Sequence, residues 1–375
     1  MQASPSDLMA KATMSRPDLA VIVPTFNERE NVATLAQKVD DALQDIPYEL
    51  IFVDDSSPDG TSDAVRALSQ KDGRIRCIER IGRRGLSTAV IEGILSTSAP
   101  FAAVIDGDMQ HDETQLTGML SILKSDRADV VVGSRYAQGG GLGNWDQDRA
   151  RMSGIATKLS KQITKVDLSD PMSGFFMLNT SQFRTRAADL SGVGFKILLD
   201  YLATPGEKLR VAEVPFEFRT RAFGKSKLDN KVLLEFLELL IAKSVGKFVP
   251  TKFVMFSIVG ALGVVVHMLA LTVLFKWNGV VFVNAQIGAT FLAMTANFFV
   301  NNFFTYYDRR LRGWSMLRGW ASFCLVSLVG ALANIGVAVY LFESASTIWF
   351  ASALAGILVG AAWNYAASAL LTWNK

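Results

Sequence analysis

Four long apolar runs in the last third of the 375-residue chain most constrain its fold. They cover roughly residues 253–275, 280–305, 320–342 and 347–372. Each is as long as the roughly 20 residues that a helix needs to cross a bilayer. Only six of the 38 Lys and Arg residues and two of the 35 Asp and Glu residues lie from Phe253 onward. The sequence therefore predicts a water-soluble part followed by an all-α membrane domain of four transmembrane helices over residues 251–375.

Basic residues are concentrated on one side of these runs, whereas the two loops on the other side carry Lys276 and Glu343 as their charged residues. The residues on the basic side are Lys243, Lys247 and Lys252 before the first run, Arg309, Arg310, Arg312 and Arg318 between the second and third, and Lys375 at the end. Loops rich in Lys and Arg stay in the cytoplasm. We therefore expect an integral membrane protein, in the inner or plasma membrane if the source is bacterial, with the soluble domain and both termini cytoplasmic. The net charge of +3 is spread without a basic face, which argues against a nucleic-acid partner.

The membrane part repeats itself. IVGALGVVVHMLALT (258–272) resembles LVGALANIGVAVYLF (328–342), and NFFVNNFFTY (297–306) resembles NYAASALLTW (364–373). The four spans therefore read as two copies of one hairpin. Asn297, Asn301, Asn302 and Asn364 are costly in lipid, and we expect them to bond between helices.

The soluble part alternates short apolar strands with helical patterns. Strands are predicted near residues 19–26, 49–53, 75–78, 101–105 and 130–133, and helices near 27–43, 61–68, 87–95 and 113–123. Short, continuously apolar strands separated by helices predict a Rossmann-like α/β domain with a mainly parallel sheet covered on both faces. Ligands of such sheets bind beyond the carboxyl ends of the strands, where the polar residues of this sequence gather.

Two segments border that domain. Residues 1–16 are small and polar and are predicted to be a flexible tail. Residues 228–250 form an amphipathic helix whose narrow polar stripe includes Lys231, Glu235, Glu238 and Lys243. A helix so apolar, just before the first span, is predicted to lie in the membrane interface. The alternative is a helix packed on the soluble domain.

The turn Asp106-Gly107-Asp108 directly follows an apolar strand. Two neighbouring carboxylates repel each other, which suggests a divalent cation as their partner. Mg²⁺ or Mn²⁺ takes one or two carboxylates and completes its shell with water and substrate phosphate. The sequence therefore favours a site for a metal and a diphosphate, against the alternative of a solvated turn.

A second acidic turn, DDSSPDG, spans Asp54 to Gly60. Pro58–Gly60 is typical of a plain turn, whereas Asp55 is a candidate acceptor for a base or ribose. A dinucleotide-dependent oxidoreductase is excluded, because the first strand ends in PTFNE and not in a Gly-x-Gly-x-x-Gly turn.

Eight motifs in order carry a family resemblance over about 210 residues. They are PTFNERENV (24–32), FVDDSSPDGT (52–61), DGDMQH (106–111), VVGSRY (131–136), DPMSGFF (170–176), GFKILLD (194–200), EVPFEF (213–218) and RAFGKSK (221–227). Together they resemble glycosyltransferase family 2, and within it the dolichyl-phosphate mannose synthases and related polyprenyl-phosphate hexosyltransferases. The resemblance implies a GT-A glycosyltransferase domain over residues 17–227. The membrane part is similar to the GtrA-type four-helix module.

The resemblance assigns roles residue by residue. The nucleotide sugar would be held by Pro24, Phe26, Glu28, Val53, Asp55, Asp106, Gly107, Asp108, Gln110, Lys196, Arg221 and Lys227. The metal would be bound by Asp106, Asp108 and Gln110. The lipid phosphate would be met by Arg135, Arg149 and Ser153. Asp106, Asp108 and Arg135 would be catalytic. His111 receives no role.

The implied reaction transfers a hexose, with mannose from GDP-mannose favoured, to a polyprenyl phosphate at the cytoplasmic membrane face. A lipid phosphate has a second pKa of about 6, so it needs guanidinium groups to aim it and no strong base. We therefore expect a metal-dependent direct displacement that inverts the anomeric carbon. UDP-glucose remains the alternative donor. The Gln-x-x-Arg-Trp motif of processive polysaccharide synthases is absent from this sequence, which argues against that class of enzyme. The intact acids at the strand ends argue against a non-catalytic scaffold or translocator of lipid-linked sugars.

Overall fold

The computed structural model describes residues 16–141, 160–161, 163–164, 166–219, 230–246, 249–343 and 349–374. The chain divides into two compact units, Met1–Ser244 and Val245–Lys375, here called the α/β unit and the helical unit. The predicted tail lies outside the described residues, apart from Arg16.

One seven-stranded sheet forms the centre of the α/β unit. Its strands are β1 (Leu19–Thr25), β2 (Tyr48–Asp54), β3 (Ile75–Glu79), β4 (Phe101–Val104), β5 (Val130–Ser134), β6 (Phe176–Asn179) and β7 (Val211–Pro215). The spatial order is β3-β2-β1-β4-β6-β5-β7. All pairs are parallel except those of β6, which runs antiparallel to β4 and to β5. The prediction of a mainly parallel sheet is confirmed.

Helices cover both faces of this sheet. They are α1 (Arg29–Ala42), α2 (Thr61–Ser69), α3 (Leu86–Ser96), α4 (Gln115–Lys124), α5 (Thr180–Arg186), α6 (Ile197–Ala203) and α7 (Asn230–Val245). Successive side chains of β1 point to opposite faces. Leu19 and Val21 pack with α1 and α4 in one apolar layer, and Ala20 and Ile22 pack with α3 and α6 in the other. Two buried layers explain why the strands read as continuous apolar runs.

Helix α7 packs on the α/β unit, as the alternative reading of its sequence expected. Phe236, Leu239 and Leu240 are buried against residues of that unit. The polar stripe is turned inward, because the side chain of Lys243 is only 8% exposed. The outward side carries Leu237, which is 40% exposed. Placement of α7 in a membrane interface stays a prediction.

In the part of the helical unit that the structure describes, four helices are long and apolar enough to cross a membrane, as predicted. They are α8 (Thr251–Leu271), α9 (Phe282–Phe303), α10 (Trp314–Glu343) and α11 (Trp349–Ala367). Helix α10 begins six residues before the expected position and so includes Arg318. An aromatic cluster that includes Phe298, Tyr306 and Trp373 is buried where α9 and the end of the chain meet.

The membrane asparagines serve the packing of this unit. A Cβ atom on Gly263 would lie 2.3 Å from Asn297 Nδ2, and one on Gly330 would lie 1.9 Å from Asn364 Oδ1, so each asparagine fills the space over a glycine of the facing helix. Asn302 exchanges hydrogen bonds with the backbone of Leu311 and accepts from the Trp373 indole. The interhelical bonding expected of Asn301 is wrong, because it bonds within its own helix.

Candidate active site

Three turns at the carboxyl ends of β1, β2 and β4 form the edge at which the candidate site lies. Each contains a non-glycine residue in the left-handed region: Asn27 with φ 57°, Ser56 with φ 55° and Met109 with φ 60°. Such conformations cost of order 1–3 kcal/mol and collect at functional sites. Three of the four non-glycine residues with positive φ in the described part of the chain therefore lie at the same strand ends as the acidic motifs, and the fourth, Asp126, follows α4.

The Asp106-Gly107-Asp108 turn is packed tightly against its neighbours. A Cβ atom on Gly107 would lie 3.3 Å from Thr25 Cγ2 at the end of β1. A Cβ atom on Gly174 would lie 3.0 Å from Asp106 Oδ2, so the chain before β6 passes directly along this carboxylate. The side chain of Asp106 is still 35% exposed. The turn thus presents a carboxylate to the outside from a closely fixed backbone.

His111 is buried behind this turn. Its Nδ1 accepts the backbone N–H of Asp106 at 3.1 Å, and its Nε2 lies 3.7 Å from Asp106 Oδ2. The ring stacks on Phe175 with centroids 5.3 Å apart. Burial lowers the pKa of His111 to about 4, so the imidazole is neutral. Because Nδ1 accepts a hydrogen bond, the proton of the ring is on Nε2. His111 therefore holds the backbone of Asp106 and directs a proton toward its carboxylate.

Arg219 anchors the rest of this turn. Its backbone N–H donates to Gln110 O, and Gln110 Nε2 donates to Arg219 O at 3.0 Å. Its guanidinium pairs with Asp112 and Glu113 at 2.7 and 2.6 Å. Asp112 and Glu113 are thus engaged by the protein itself, and the backbone N–H of Gln110 donates to Asp108 Oδ1 at 3.2 Å.

Arg135, at the end of β5, is fixed by a buried carboxylate. Its Nε and Nη2 donate to the two oxygens of Asp170 at 2.7 and 2.9 Å, and Asp170 is fully buried. Burial opposes the charge on Arg135, but the hydrogen bonds and charge of Asp170 outweigh it and raise the pKa of Arg135 above its ordinary value. This bidentate geometry fixes the plane of the guanidinium.

Lys196 immediately precedes α6 and brings a second cation to the site. Its Nζ donates to Met172 O at 3.0 Å. Burial and the nearby charge of Arg135 lower the pKa of Lys196 to about 8. The ammonium group is therefore charged at neutral pH but close to its titration range.

The residues assigned to the nucleotide differ in what they can offer. Pro24, Phe26 and Glu28 are each partly exposed at the end of β1, and the Arg84 guanidinium lies 4.4 Å from the centre of the Phe26 ring. Val53 is fully buried within β2, with its side chain in the second apolar layer, and its role at the nucleotide stays a prediction.

The carboxylates of the second acidic turn accept hydrogen bonds from other groups of the protein. Asp55 accepts from Arg80 Nη1 at 2.8 Å and from Gly85 N at 2.7 Å. Asp54 is fully buried and accepts from Thr25, Ser57 and Ser62. The expected turn at Pro58–Gly60 is confirmed, with Asp59 accepting the N–H of Thr61. Asp55 thus reaches the site edge as part of an ion pair with buried Arg80.

Comparison with known proteins decides the family. Residues 20–185 match Glycosyl transferase family 2, and residues 255–373 match the GtrA/DPMS transmembrane domain. The dolichol-phosphate mannosyltransferase of Pyrococcus furiosus is 34% identical over 357 residues, which are 95% of this chain and 99% of that protein. This chain belongs to the dolichol-phosphate mannosyltransferase family.

Two further relatives carry the same description. That of Mycosarcoma maydis is 35% identical over 270 residues, which are 69% of this chain and 91% of that protein. That of Saccharomyces cerevisiae is 34% identical over 248 residues, which are 64% of this chain and 91% of that protein. The expected resemblance is confirmed, and the chain is a glycosyltransferase with a GtrA-type membrane domain.

Four of the site residues expected in this mannosyltransferase family member lie outside the described residues. They are Arg149, Ser153, Arg221 and Lys227. Their roles at the lipid phosphate and the diphosphate stay predictions. The residues that the structure does bring to one edge are Asp106, Asp108, Gln110, Arg135 and Lys196.

The donor chemistry of the turn fits a divalent cation. Within the described ranges, no three His, Cys, Asp or Glu side chains are grouped to hold a metal ion. The turn offers two carboxylates and one amide, which are hard oxygen donors. Mg²⁺ in phosphoryl sites typically takes one or two protein carboxylates and leaves its other positions to water and substrate. The set therefore suits a metal shared with a substrate diphosphate.

Sequence reasoning missed the residues that position this site. Asp170 lies 35 residues from Arg135 in the chain, and Arg80 lies 25 residues from Asp55. The available signal was the acid of the DPMSGFF motif and the first of three arginines after β3, each of which is equally typical of a surface charge.

Proposed function

We propose that this glycosyltransferase moves mannose from GDP-mannose to a polyprenyl phosphate of the dolichyl type. The observation that carries the proposal is the exposed carboxylate of Asp106 in a rigid turn. Two buried cations, Arg135 and Lys196, lie in the same charged neighbourhood, since Asp106 acts electrostatically on both. The names of the relatives support mannose and a lipid phosphate as the substrates.

The donor side is built to stabilise a leaving diphosphate. Asp106 and Asp108, with Gln110 beside them, would hold Mg²⁺ or Mn²⁺, which supplies charge neutralisation to the diphosphate when bound. Lys196 adds a cation from the protein. Cations placed where charge develops stabilise the transition state and need no reorganisation during the reaction.

The acceptor side needs a grip and an orientation. Arg135 is locked by Asp170, so its guanidinium can direct a phosphate without losing its own geometry. The phosphate is already ionised near neutral pH and can attack directly. His111 is buried and neutral and accepts the Asp106 N–H, so it does not act as a general base. One direct displacement inverts the anomeric carbon.

The membrane supplies the place where lipid and nucleotide sugar meet. Four apolar helices and the outward side of α7, with Leu234, Leu237 and Ile241, support attachment to a bilayer. The arginines of the loop between α9 and α10 support a cytoplasmic position of the catalytic unit. A reporter fused after Lys375 tests this orientation, and its appearance outside the cytoplasm contradicts it.

A transfer assay tests the proposed function. The full-length protein in nanodiscs receives a polyprenyl phosphate, Mn²⁺ and radiolabelled GDP-mannose or UDP-glucose, and lipid-extractable label is counted. We expect label from GDP-mannose and none from UDP-glucose. Label from UDP-glucose alone overturns the choice of donor. Label from neither, with protein that is folded by thermal unfolding, overturns the enzymatic role in favour of a scaffold.

A further inference from the structure

A buried ion pair joins α7 to the short helix that follows Lys196. Lys243 Nζ of α7 lies 2.5 Å from Asp200 Oδ1 of α6. The two side chains are 8% and 0% exposed. Removing both charges from water costs several kcal/mol per ion, so such a pair contributes little net stability. Its best-attested use is to fix one geometry among several.

Asp200 fixes the turn that leads into Lys196. It accepts the backbone N–H groups of Ser191 and Gly192 at 3.2 and 2.9 Å and the Ser191 hydroxyl at 2.8 Å. Lys243 also donates to Thr204 Oγ1 at 2.7 Å, just after α6 ends. One lysine of α7 therefore ties both ends of the Ser191–Thr204 segment, which contains Lys196.

Helix α7 also makes apolar contacts with Met172, which binds Lys196. Phe236 and Leu239 of α7 pack in one cluster with Met172 and Leu199. Met172 is the residue whose carbonyl oxygen accepts from Lys196 Nζ. Helix α7 thus lies behind both the peptide that holds the ammonium group and the helix that follows it.

Close backbone approach completes the contact. Gly194, two residues before Lys196, has φ +72°, and a Cβ atom there would lie 3.1 Å from Glu235 Cβ of α7. A side chain at this position would push α7 away from the turn. The turn is therefore shaped to let α7 lie directly on it.

We propose that α7 is a positioning element for the diphosphate-binding cation, and that the Lys243–Asp200 pair is the contact that fixes Lys196. This rests on the proposed function in one respect, the role of Lys196 at the nucleoside diphosphate. The apolar outward side of α7 gives this helix a second role, at the lipid surface. The same helix that would lie against lipid holds the cation of the active site in place.

A double-mutant cycle tests this on the full-length protein. Lys243→Met, Lys196→Met and the double variant are titrated with GDP and with UDP in the presence of Mn²⁺, and dissociation constants are measured by calorimetry. We expect Lys243→Met to weaken GDP binding about tenfold and the double variant to match Lys196→Met alone, because residues that act through one another are not additive. Losses that multiply, or wild-type affinity in Lys243→Met, overturn the proposal.

Controls separate positioning from loss of fold. Lys243→Met leaves Asp200 buried without its partner, so the variant Lys243→Met with Asp200→Asn removes both charges and should recover part of the lost thermal stability, since the amide keeps one acceptor oxygen for Ser191 and Gly192. It should still bind GDP about tenfold more weakly, and recovery of wild-type binding in it contradicts the proposal. Lys243→Arg should restore most of the affinity. Lys124→Met breaks a pair of the same kind on the surface, with Asp18 at 2.6 Å, and should bind GDP as wild type does.

The double-mutant cycle and the transfer assay give results that are independent of each other. Wild-type protein that binds GDP but transfers no sugar contradicts the proposed function and leaves the coupling between Lys243 and Lys196 to be read from the dissociation constants. Wild-type protein that binds neither GDP nor UDP contradicts both.

Discussion

The two acidic turns of the α/β unit look alike in sequence and differ in how the protein uses them. At the end of β2, Asp54 is fully buried and accepts four hydrogen bonds from Thr25, Ser57 and Ser62. At the end of β4, the Asp106 side chain is 35% exposed, and His111 and the chain at Gly174 hold it from behind. The Asp54 carboxylate of the first turn therefore stabilises the fold, whereas the Asp106 carboxylate of the second is partly accessible from outside.

The difference teaches where substitutions should affect folding and where they should affect turnover. A buried carboxylate that satisfies several donors contributes to stability, and removing it leaves those donors unpaired. A carboxylate that a ligand can reach contributes to binding, and in the turn after β4 the Asp106 side chain is 35% exposed while Asp108, only 7% exposed, accepts the Gln110 N–H. Four substitutions or titrations test this contrast, in order of their expected effect on turnover.

Asp108→Asn should abolish turnover. The loss of one carboxylate from the metal site removes several kcal/mol of transition-state stabilisation, which corresponds to a decrease of at least about 10³-fold in kcat. The measurement is label transfer per folded molecule, with folding checked by thermal unfolding. Asp112→Asn is the matched control, since that acid pairs with Arg219 outside the site. Near-normal turnover of Asp108→Asn removes it from the site.

His111→Phe should slow turnover about 10- to 100-fold, the usual effect of losing a group that orients a metal ligand. The phenyl ring retains the stacking on Phe175 but accepts nothing from the Asp106 N–H. His111→Asn keeps an acceptor near the Nδ1 position and should recover part of the rate. If kcat is unchanged in both variants while thermal stability falls, His111 is only a core residue.

The pH profile should report Lys196. Its pKa is lowered to about 8, so its charge is present below that pH and is lost as the pH rises through it. We expect kcat/KM for the nucleotide sugar to fall about tenfold per pH unit above pH 8, while kcat stays high to a higher pH because a bound diphosphate favours the ammonium form. Lys196→Arg keeps its charge and should lose this limb. An unchanged limb in that variant assigns it to another group.

Asp54→Asn should leave turnover per folded molecule within a few-fold of wild type. The amide cannot accept all the hydrogen bonds of the carboxylate, so the free energy of unfolding should fall by about 2 kcal/mol. Thermal unfolding and label transfer, measured on the same preparation, check this. A loss of turnover as large as that of Asp108→Asn, without a loss of stability, would make the two turns equivalent.

Much of the fold follows from sequence patterns. The five strands β1–β5 and the helices between them were predicted because each is a short apolar run bounded by polar turns. Strands β6 and β7 were not. Strand β6 has only three apolar residues, the first of which ends a motif that is typical of a loop, and no local signal gives its antiparallel direction. The packing of α7 on the α/β unit was only the alternative prediction, because most of its residues are apolar and the pattern does not say which side meets protein.

The site divides in the same way. The carboxylates of Asp106 and Asp108 were predicted because they directly follow a strand, and position along a strand is local information. The burial of Val53 was not predicted, because the family pattern marks a strand position but not its burial. Asp170 and Lys243 were missed because their partners lie 35 and 43 residues away, and only the folded chain brings them together.

Binding of Mn²⁺ in the presence of GDP tests the central contrast most directly. The free and bound ion are distinguished by electron paramagnetic resonance in titrations of wild-type, Asp108→Asn and Asp54→Asn protein. We expect wild type and Asp54→Asn to bind one Mn²⁺ with similar affinity and Asp108→Asn to bind at least about tenfold more weakly. Wild-type affinity in Asp108→Asn, or its loss in folded Asp54→Asn, would contradict the assignment of the metal site to the turn after β4.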